Sequence, residues 1–347
     1  MLPKRLVFCG GGTKCLVFLQ GLVDLEKRGT LKNVNEYWGT SAGAMIASLY
    51  ALTSSPQKIK DVMFSANYLK FRDIDISNIL GIQSSWGLDD GKSLTQEIEN
   101  MFESIGPGTK NKVLSDIPSL NIVVSDISIR ETIICNSKTH PSLRIVDALR
   151  ASMSLPIFFK PYRHVESGHF WVDGAIKANF PWHCLPDDLA RSEALGFTFE
   201  KPCIYRTPET FMEYIFSMIH FDEPKKTQIL KKHWSSNIIW FPQPPYPTWF
   251  IRLQKTDFDL IEQLGKEGIE KWFRPLSKTQ ACPPLCEDHR TQKSLRQMNY
   301  ISGMSDSPLP GLLRCSHDNS STLPRPFPLT HQVHTPSKQT FCRRWSV

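Results

Sequence analysis

The feature of this sequence that most constrains its fold is a serine between two glycines, where a predicted strand meets a predicted helix. The pentapeptide Gly39-Thr40-Ser41-Ala42-Gly43 fits the pattern G-x-S-x-G and lies between a strand predicted over residues 33–38 and a helix predicted over residues 44–52. Flanking glycines permit a sharp turn, and the start of a helix favours negative charge near the hydroxyl. Two interpretations fit: a nucleophile elbow above a sheet, or an ordinary turn between strand and helix.

A second glycine-rich turn, Gly10-Gly11-Gly12-Thr13-Lys14, follows the first predicted strand (residues 5–9) and opens a predicted helix. Its consecutive N–H groups can surround an anion, either a phosphate or the oxyanion of a tetrahedral acyl intermediate. The phosphate interpretation is weaker, because G-x-x-x-x-G-K-[ST] is absent and Cys15 interrupts G-x-G-x-x-G. A serine elbow one strand later favours the oxyanion. Lys14 either contacts a charged group of the substrate or is a solvated surface group.

The candidate base is Asp173, which ends an apolar stretch and is followed by Gly174 and Ala175. An ordinary α/β-hydrolase has several strands before its elbow and a histidine after it, whereas Ser41 follows only the second predicted strand. This order favours a different hydrolase plan with an acidic base. The rival acid, Asp90, precedes a predicted helix and fits a turn and helix N-cap better.

Three histidines lie near the candidate base in the sequence: His164, His169 and His183. Each either assists the reaction or has a structural or surface role, and the second interpretation is the simpler one.

Taken in this order, the motifs resemble those of the patatin-like phospholipase family. Residues 10–14 are similar to its oxyanion loop, residues 39–43 to its elbow and residues 173–175 to its D-G-[GA] box. Residues 151–156 resemble the family's small-residue segment before the acid, and residues 179–181 resemble the N-x-P that follows it. The resemblance spans residues 5 to about 200. It departs from the family at Cys15, where glycine is usual.

The resemblance implies a Ser-Asp dyad of Ser41 and Asp173, with no histidine, cofactor or metal. It also implies a three-layer α/β/α fold and cleavage of carboxylic esters in phospholipids or glycerides. An aspartate with a pKa of about 3.9 is a poor base near neutral pH, so we expect burial at the strand end to raise its basicity. The alternative is a lipid-binding protein on the same fold that has little or no turnover.

Predicted strands and helices alternate along the chain, which predicts a mostly parallel sheet with helices on both faces. The predicted strands cover residues 5–9, 33–38, 120–127, 131–135, 168–172, 194–199 and 237–241. The predicted helices cover residues 14–28, 44–52, a segment starting at 56, and residues 143–153, 209–219, 224–234 and 257–272.

A change of composition predicts a domain boundary between residues 274 and 275. Residues 275–347 hold nine prolines, ten serines, and nine Lys and Arg against four Asp and Glu, which is typical of a disordered, solvated tail. The tail contains no recognisable nucleic-acid-binding module, so we expect no nucleic-acid partner. Its thiols and imidazoles have no recognised zinc spacing, so no metal site is predicted there; they are Cys282, Cys286, His289, Cys315 and His317.

The sequence shows no recognisable export signal, so we expect an intracellular protein. No apolar run reaches the roughly 18 residues of a spanning helix, and the apolar stretch near the start is too short for a secretory signal. Nine scattered cysteines suit a reducing compartment. We therefore expect peripheral attachment to a membrane or lipid droplet, where the lipid substrate lies. An aromatic stretch over residues 234–250, near lysines at 225–232, indicates either a lipid-contacting surface or core packing. The oligomeric state is not predicted.

Overall fold

The structure is a computed structural model that describes residues 2–71, 73, 82–200, 207–209, 211–219, 223–246 and 252–274. The chain divides into two compact units, Met1–Gln280 and Ala281–Val347, and the second lies outside the described residues. The predicted tail and its thiols and imidazoles therefore stay predictions, as do Trp249 and Phe250 of the aromatic stretch.

Strands and helices alternate over much of the described chain, as predicted, although two groups of strands follow one another with no helix between them. The strands are β1 (Arg5–Phe8), β2 (Glu36–Thr40), β3 (Gly87–Asp89), β4 (Leu120–Asp126), β5 (Glu131–Cys135), β6 (Ile157–Phe159), β7 (Tyr162–Arg163), β8 (Phe170–Asp173), β9 (Ala194–Phe199) and β10 (Ile238–Phe241). The α-helices are α1 (Val17–Lys27), α2 (Ala42–Thr53), α3 (Pro56–Ser65), α4 (Ile82–Ser85), α5 (Lys92–Ile105), α6 (Ile145–Ser152), α7 (Ala175–Ala178), α8 (Asp188–Ser192), α9 (Phe211–Ile219), α10 (Glu223–Trp234) and α11 (Lys255–Phe273). Short 3₁₀ helices cover Gly12–Leu16, Tyr68–Phe71, Thr109–Asn111, Leu114–Asp116 and Pro181–Cys184.

In the central sheet each strand of the series β10-β9-β1-β2-β4-β8-β7 is hydrogen-bonded to the next, and β5 also pairs with β4; β2 and β8 lie along one edge of β4 and β5 along the other. The pairings from β10 to β4 are parallel, while β5 and β8 run antiparallel to β4 and β7 runs antiparallel to β8. The predicted α/β class with a central sheet is confirmed. The antiparallel part was not predicted; for β5 its cause is local, because the four-residue link 127–130 is too short for a parallel crossover.

Helices cover both faces of this sheet, because the strands alternate their side chains between two apolar clusters. Leu6 and Phe8 of β1 belong to the larger cluster, which α1, α2 and α11 cover, whereas Val7 belongs to a smaller cluster with Trp182. In the larger cluster the ring of Phe8 lies 4.8 Å from that of Phe197, measured between centroids. The fold is therefore three-layered, as expected.

The described part of the aromatic stretch mostly packs inward, which favours the core interpretation over lipid contact. Phe241 is fully buried, Trp234 and Trp240 pack against the smaller cluster, and Tyr246 packs against the larger one. Among the described helices, none is both long enough and apolar enough to cross a membrane.

Two glycines of α11 permit close contacts, Gly265 with α1 and Gly268 with Phe241 of β10. A Cβ on Gly265 would lie 2.7 Å from the carbonyl oxygen of Val17, and a Cβ on Gly268 would lie 2.4 Å from the Phe241 ring. The first contact is with main chain, which cannot rotate away. Glycine at position 265 therefore permits the contact between the first and last helices.

We expect Gly265→Ala to lower the free energy of unfolding by up to about 2 kcal/mol, because overpacking costs about 1–3 kcal/mol and the better helix propensity of alanine offsets about 1 kcal/mol of this cost. Denaturant unfolding measures the change. Gly106→Ala is the control: a Cβ there would lie 3.6 Å from Thr109 Cγ2, an ordinary contact distance, so we expect a change within about 0.5 kcal/mol. A Gly265→Ala variant that is more stable than the wild type would contradict the expected steric cost of this contact.

Candidate active site

Two strands that end head to head bring the candidate nucleophile and base together. Strand β2 runs parallel to β4 and ends with Thr40 opposite Val123, while β8 runs antiparallel and ends with Asp173 opposite Val124. Because β5 occupies the other edge of β4 along this stretch, β2 and β8 share one edge. Their carboxyl ends therefore meet, and Ser41 directly follows Thr40.

The backbone at Ser41 has the sharp turn of a nucleophile elbow. Ser41 has φ 55° and ψ −128°, a conformation that L-residues rarely adopt, and it immediately precedes α2. A Cβ on Gly39 would lie 2.5 Å from the main chain of Ala44, and a Cβ on Gly43 would lie 2.4 Å from the carbonyl oxygen of Cys9. Both glycines are thus required by space, since the turn folds α2 tightly against β1 and β2.

The structure places the side chains of Ser41 and Asp173 in hydrogen-bonding contact. Ser41 Oγ donates to Asp173 Oδ2 over 2.8 Å, although the residues are 132 positions apart in the sequence. The other carboxylate oxygen, Oδ1, accepts the N–H of Ala175 at 2.8 Å. A Cβ on Gly174 would lie 2.4 Å from the Val123 carbonyl oxygen, so the chain after Asp173 passes close against β4.

Burial raises the pKa of Asp173 to about 7, against the hydrogen bonds from Ala175 and Ser41, which lower it. The side chain is 3% exposed. A carboxylate in this environment is a stronger base than an ordinary aspartate, as the sequence led us to expect.

The glycine-rich loop lies directly beside the serine. A Cβ on Gly10 would come within 3.1 Å of Ser41 Cβ, and the Gly10 N–H donates to the carbonyl of Asn179 at 2.9 Å. Gly10 therefore permits close approach, and its N–H is already used. Gly11 and Gly12 are partly exposed, and none of the described residues accepts a hydrogen bond from their N–H groups. Gly12 has φ 56°, which favours glycine.

Thr13 and Lys14 complete this loop. Thr13 is buried, and Lys14 Nζ donates to Gln243 Oε1 at 3.1 Å. Burial lowers the pKa of Lys14. Lys14 is thus partly buried, and its ammonium group bonds to Gln243 and not to Ser41 or Asp173.

The histidines and the rival acid have other partners. His169 Nδ1 contacts Asp126 Oδ2 at 2.8 Å, and the ring of His164 stacks on Trp171 with 4.1 Å between centroids. His183 lies in the 3₁₀ helix Pro181–Cys184. Asp90 accepts the N–H of Lys92 in the turn before α5, which agrees with the turn interpretation. Within the described residues, no group of three or more His, Cys, Asp or Glu side chains could hold a metal ion.

One residue at the site was not singled out from the sequence. Ser152 Oγ accepts the N–H of Ser41 at 2.8 Å. Its only sequence signal was its place in residues 151–156, the segment noted for its family resemblance.

The known proteins that this chain resembles agree on one family. The sequence profile described as Patatin-like phospholipase matches residues 6–185. The chain is 26% identical over 198 residues to Uncharacterized protein R571 of Acanthamoeba polyphaga mimivirus, covering 56% of this chain and 65% of that protein. It is 24% identical over 185 residues to Probable lipid hydrolase 463L of Invertebrate iridescent virus 6, covering 51% and 61%. The chain thus spans less than two thirds of the length of these curated relatives.

Two solved structures also show a partial likeness to this chain. VipD from Legionella pneumophila gives a TM-score of 0.45 at 17% identity, over 77% of this chain and 67% of that chain. ExoU, solved with SpcU from Pseudomonas aeruginosa, gives 0.41 at 18% identity, over 78% and 51%.

Replacement of Asp173 should change how stability depends on pH. Between about pH 4 and pH 7 the folded protein holds a proton that the unfolded chain has lost, so wild-type stability falls as pH rises through this window. Asp173→Asn has no such group. We therefore expect its stability to rise relative to the wild type by up to about 4 kcal/mol across the window, at about 1.4 kcal/mol per pKa unit. Urea unfolding at pH 5 and pH 8 measures the part of this difference that develops between pH 5 and pH 7, about 3 kcal/mol.

Glu193→Gln is the control for this experiment. Hydrogen bonds from Lys4 and Arg5 hold the pKa of Glu193 below its ordinary value, so its contribution is lost only as pH falls below the window. Its difference from the wild type should stay constant between pH 5 and pH 8. A constant difference for Asp173→Asn as well would contradict the burial of an ionisable carboxyl at this position.

Proposed function

Because the chain belongs to the patatin-like phospholipase family, we propose that it is a lipid acyl hydrolase that cleaves the carboxylic ester bonds of phospholipids or glycerides. Ser41 is the nucleophile and Asp173 the base. The name of the relative from Invertebrate iridescent virus 6, a probable lipid hydrolase, supports the same class of activity. No cofactor or metal takes part in the proposed reaction.

The observation that carries this proposal is the hydrogen bond of 2.8 Å from Ser41 Oγ to Asp173 Oδ2. A serine hydroxyl is a weak nucleophile until a base accepts its proton, and a candidate base must lie within hydrogen-bonding distance of it. Asp173 meets the distance requirement, and its raised pKa gives it a basicity suited to neutral pH.

In the proposed first step, Ser41 Oγ attacks the acyl carbon of the ester while its proton moves to Asp173. The former carbonyl oxygen becomes an oxyanion, and the N–H groups of Gly11 and Gly12 bind it. Preorganised donors of this kind are each worth about 3 kcal/mol of transition-state stabilisation. When the tetrahedral intermediate collapses, the ester C–O bond breaks and the leaving alcohol takes the proton from Asp173.

In the second step, water releases the acyl group. Asp173, again a carboxylate, accepts a proton from the attacking water, and a second tetrahedral intermediate forms on the same carbon. Its collapse breaks the bond to Ser41 Oγ, which recovers the proton from Asp173. The products are a free fatty acid and the unchanged enzyme, so one carboxylate serves both halves of the reaction.

A lipid substrate lies in a membrane or droplet surface, and α10 offers a surface suited to it. Leu230 and Trp234 pack α10 against the smaller apolar cluster. The outward face holds lysines with a 60% exposed Ile229 among them; these lysines are Lys225, Lys226 and Lys232. Exposed lysines attract anionic headgroups, each by about 1 kcal/mol, and an exposed aliphatic side chain favours the interface.

The direction of the sheet places the start of α10 towards the candidate active site. Strand β9 is parallel to β1 and ends with Phe199, whose ring would touch a Cβ on Gly11. Strand β10 is parallel to β9, so the segment between them returns from the carboxyl edge to the amino edge. Because α10 lies on this return path, its first residues, including Lys225 and Lys226, belong nearer the carboxyl edge. We propose that this end contacts the lipid surface.

A fluorophosphonate probe tests the chemistry, because it labels only an activated serine. We expect wild-type protein to be labelled at Ser41, and Ser41→Ala and Asp173→Asn to lose labelling and hydrolysis by about a thousandfold or more. The labelling rate should rise between pH 6 and pH 8 as Asp173 loses its proton. Mass spectrometry of a mixed lipid extract then measures the released fatty acids, lysolipids and diglycerides.

The controls separate the enzyme from the non-catalytic lipid-binding alternative. Circular dichroism and thermal unfolding establish that each variant is folded. A folded wild-type protein that binds lipid but resists labelling and releases no fatty acid would support the alternative. Activity that survives unchanged in Asp173→Asn would exclude the dyad.

Reversal of charge on α10 tests the lipid-contacting surface. We expect Lys225→Glu with Lys226→Glu to weaken sedimentation with phosphatidylserine vesicles by about tenfold or more, given about 1 kcal/mol per lysine. Fluorophosphonate labelling in solution should not change. Lys27→Glu with Lys32→Glu is the control of equal charge, since both lysines are exposed, Lys27 as the last residue of α1 and Lys32 shortly after it. An equal loss of vesicle binding in both double variants would contradict a localised surface.

A further inference from the structure

The hydroxyl of Ser152 bridges two main-chain groups at the point where β2 and β8 meet. It accepts the N–H of Ser41 at 2.8 Å and donates to the carbonyl oxygen of Val123 at 2.6 Å. Val123 is the residue of β4 opposite the end of β2, and its neighbour Val124 is opposite the end of β8. Ser152 is fully buried and ends α6. Its hydroxyl therefore links the turn at Ser41 to β4, the strand beside which both β2 and β8 end.

The residues just after Ser152 also bond to β8, the strand that ends with Asp173. The carbonyl of Ser154 accepts the N–H of Asp173 at 2.9 Å. Ser154 Oγ in turn donates to the carbonyl of Arg150 at 2.6 Å and accepts from the guanidinium of Arg150. Residues 152–154 thus contact the main chain of both members of the dyad, one through a side chain and one through a carbonyl.

We propose that Ser152 is a positioning residue that holds Ser41 in its reactive conformation, a role that rests on the proposed function of the Ser41–Asp173 dyad. The backbone of Ser41 lies in a region of φ and ψ that is unfavourable for a residue with a side chain. Such a conformation persists only where the surroundings fix it. The hydrogen bond to the Ser41 N–H fixes the orientation of this peptide, and through it the direction of Oγ towards Asp173.

The position requires a hydroxyl for a chemical reason. One atom must accept from an N–H and donate to a carbonyl at the same time, and a hydroxyl does both. Alanine would leave the N–H of Ser41 and the carbonyl of Val123 without this partner in a buried place. The elbow could then regain partners only by turning, which would move Ser41 Oγ away from the carboxylate.

The bridge also removes one candidate donor from the proposed oxyanion hole. Since the N–H of Ser41 is already bound to Ser152, it is not available to an oxyanion. The proposed oxyanion donors must therefore come from elsewhere, which increases the dependence of the reaction on Gly11 and Gly12.

The test is the second-order rate constant of fluorophosphonate labelling, measured beside thermal unfolding. We expect Ser152→Ala to be labelled about 10- to 100-fold more slowly than the wild type at a temperature where both are folded, because small displacements of a reacting group have effects of this size. Ser152→Cys keeps a side chain of similar size with weaker hydrogen bonds, so its rate should lie between the two. It also replaces Ser152→Ala as the test variant should the alanine variant not fold.

Ser48→Ala is the matched control. Ser48 is fully buried in α2 and its hydroxyl donates to the carbonyl of Ala44, so the substitution removes a buried hydroxyl from the elbow helix without touching Ser41 or Val123. It should lower the unfolding temperature while the labelling rate stays within about twofold of the wild type.

Three outcomes are informative. Slow labelling of Ser152→Ala with normal labelling of Ser48→Ala supports the positioning role. Equal rates for folded Ser152→Ala, or folded Ser152→Cys, and the wild type overturn it while the proposed function stands. Failure of the wild-type protein to be labelled overturns the proposed function first, and the positioning role with it.

Discussion

Two strands that share one edge of β4 and run towards each other determine where the reactive side chains lie. The end of β2 is opposite Val123 and the end of β8 is opposite Val124, so the last residues of both strands meet with no element between them. Main-chain pairing with β4 fixes both positions, which is more exact than placing two groups on separate loops. This explains how a serine and a carboxylate 132 positions apart can contact each other without an intervening histidine. A parallel β8 would have carried its carboxyl end the other way.

The same arrangement makes the Asp173 carboxylate more basic, but it also lowers the stability of the folded protein. A carboxylate at the end of a buried strand loses hydration, which raises its pKa and also makes its charged form costly in the folded state. The hydrogen bonds from Ser41 Oγ and the Ala175 N–H reduce this cost without cancelling it. With only two such donors the carboxylate keeps enough basicity to accept a proton near neutral pH. Sites that depend on a strained or destabilised group commonly trade stability for activity in this way.

Sequence patterns predicted the longer strands and helices and the motifs, because these depend on local preferences, whereas the short strands β3, β6 and β7 were not predicted. Gly39 and Gly43 could be recognised as turn glycines, and the burial of Asp173 followed from the apolar residues before it. The edge of β4 that β8 occupies could not be predicted, since pairing depends on contacts between residues far apart in the sequence. Ser152 was missed for the same reason: nothing in its neighbours indicates that its hydroxyl reaches Ser41.

The side chain of Cys15, at the position where the family usually has glycine, lies on the inner side of the glycine-rich loop. The Cys15 side chain is fully buried, its thiol donates to the carbonyl of Cys9 at 3.4 Å, and its sulfur lies 3.1 Å from the place of a Cβ on Gly11. Burial raises the pKa of the thiol well above its ordinary value, so it stays neutral and unreactive. The extra atoms therefore fill space beneath the loop, while Gly11 and Gly12 remain partly exposed beside Ser41. Substitution at this position thus gives no reason to favour the non-catalytic alternative over the proposed hydrolase.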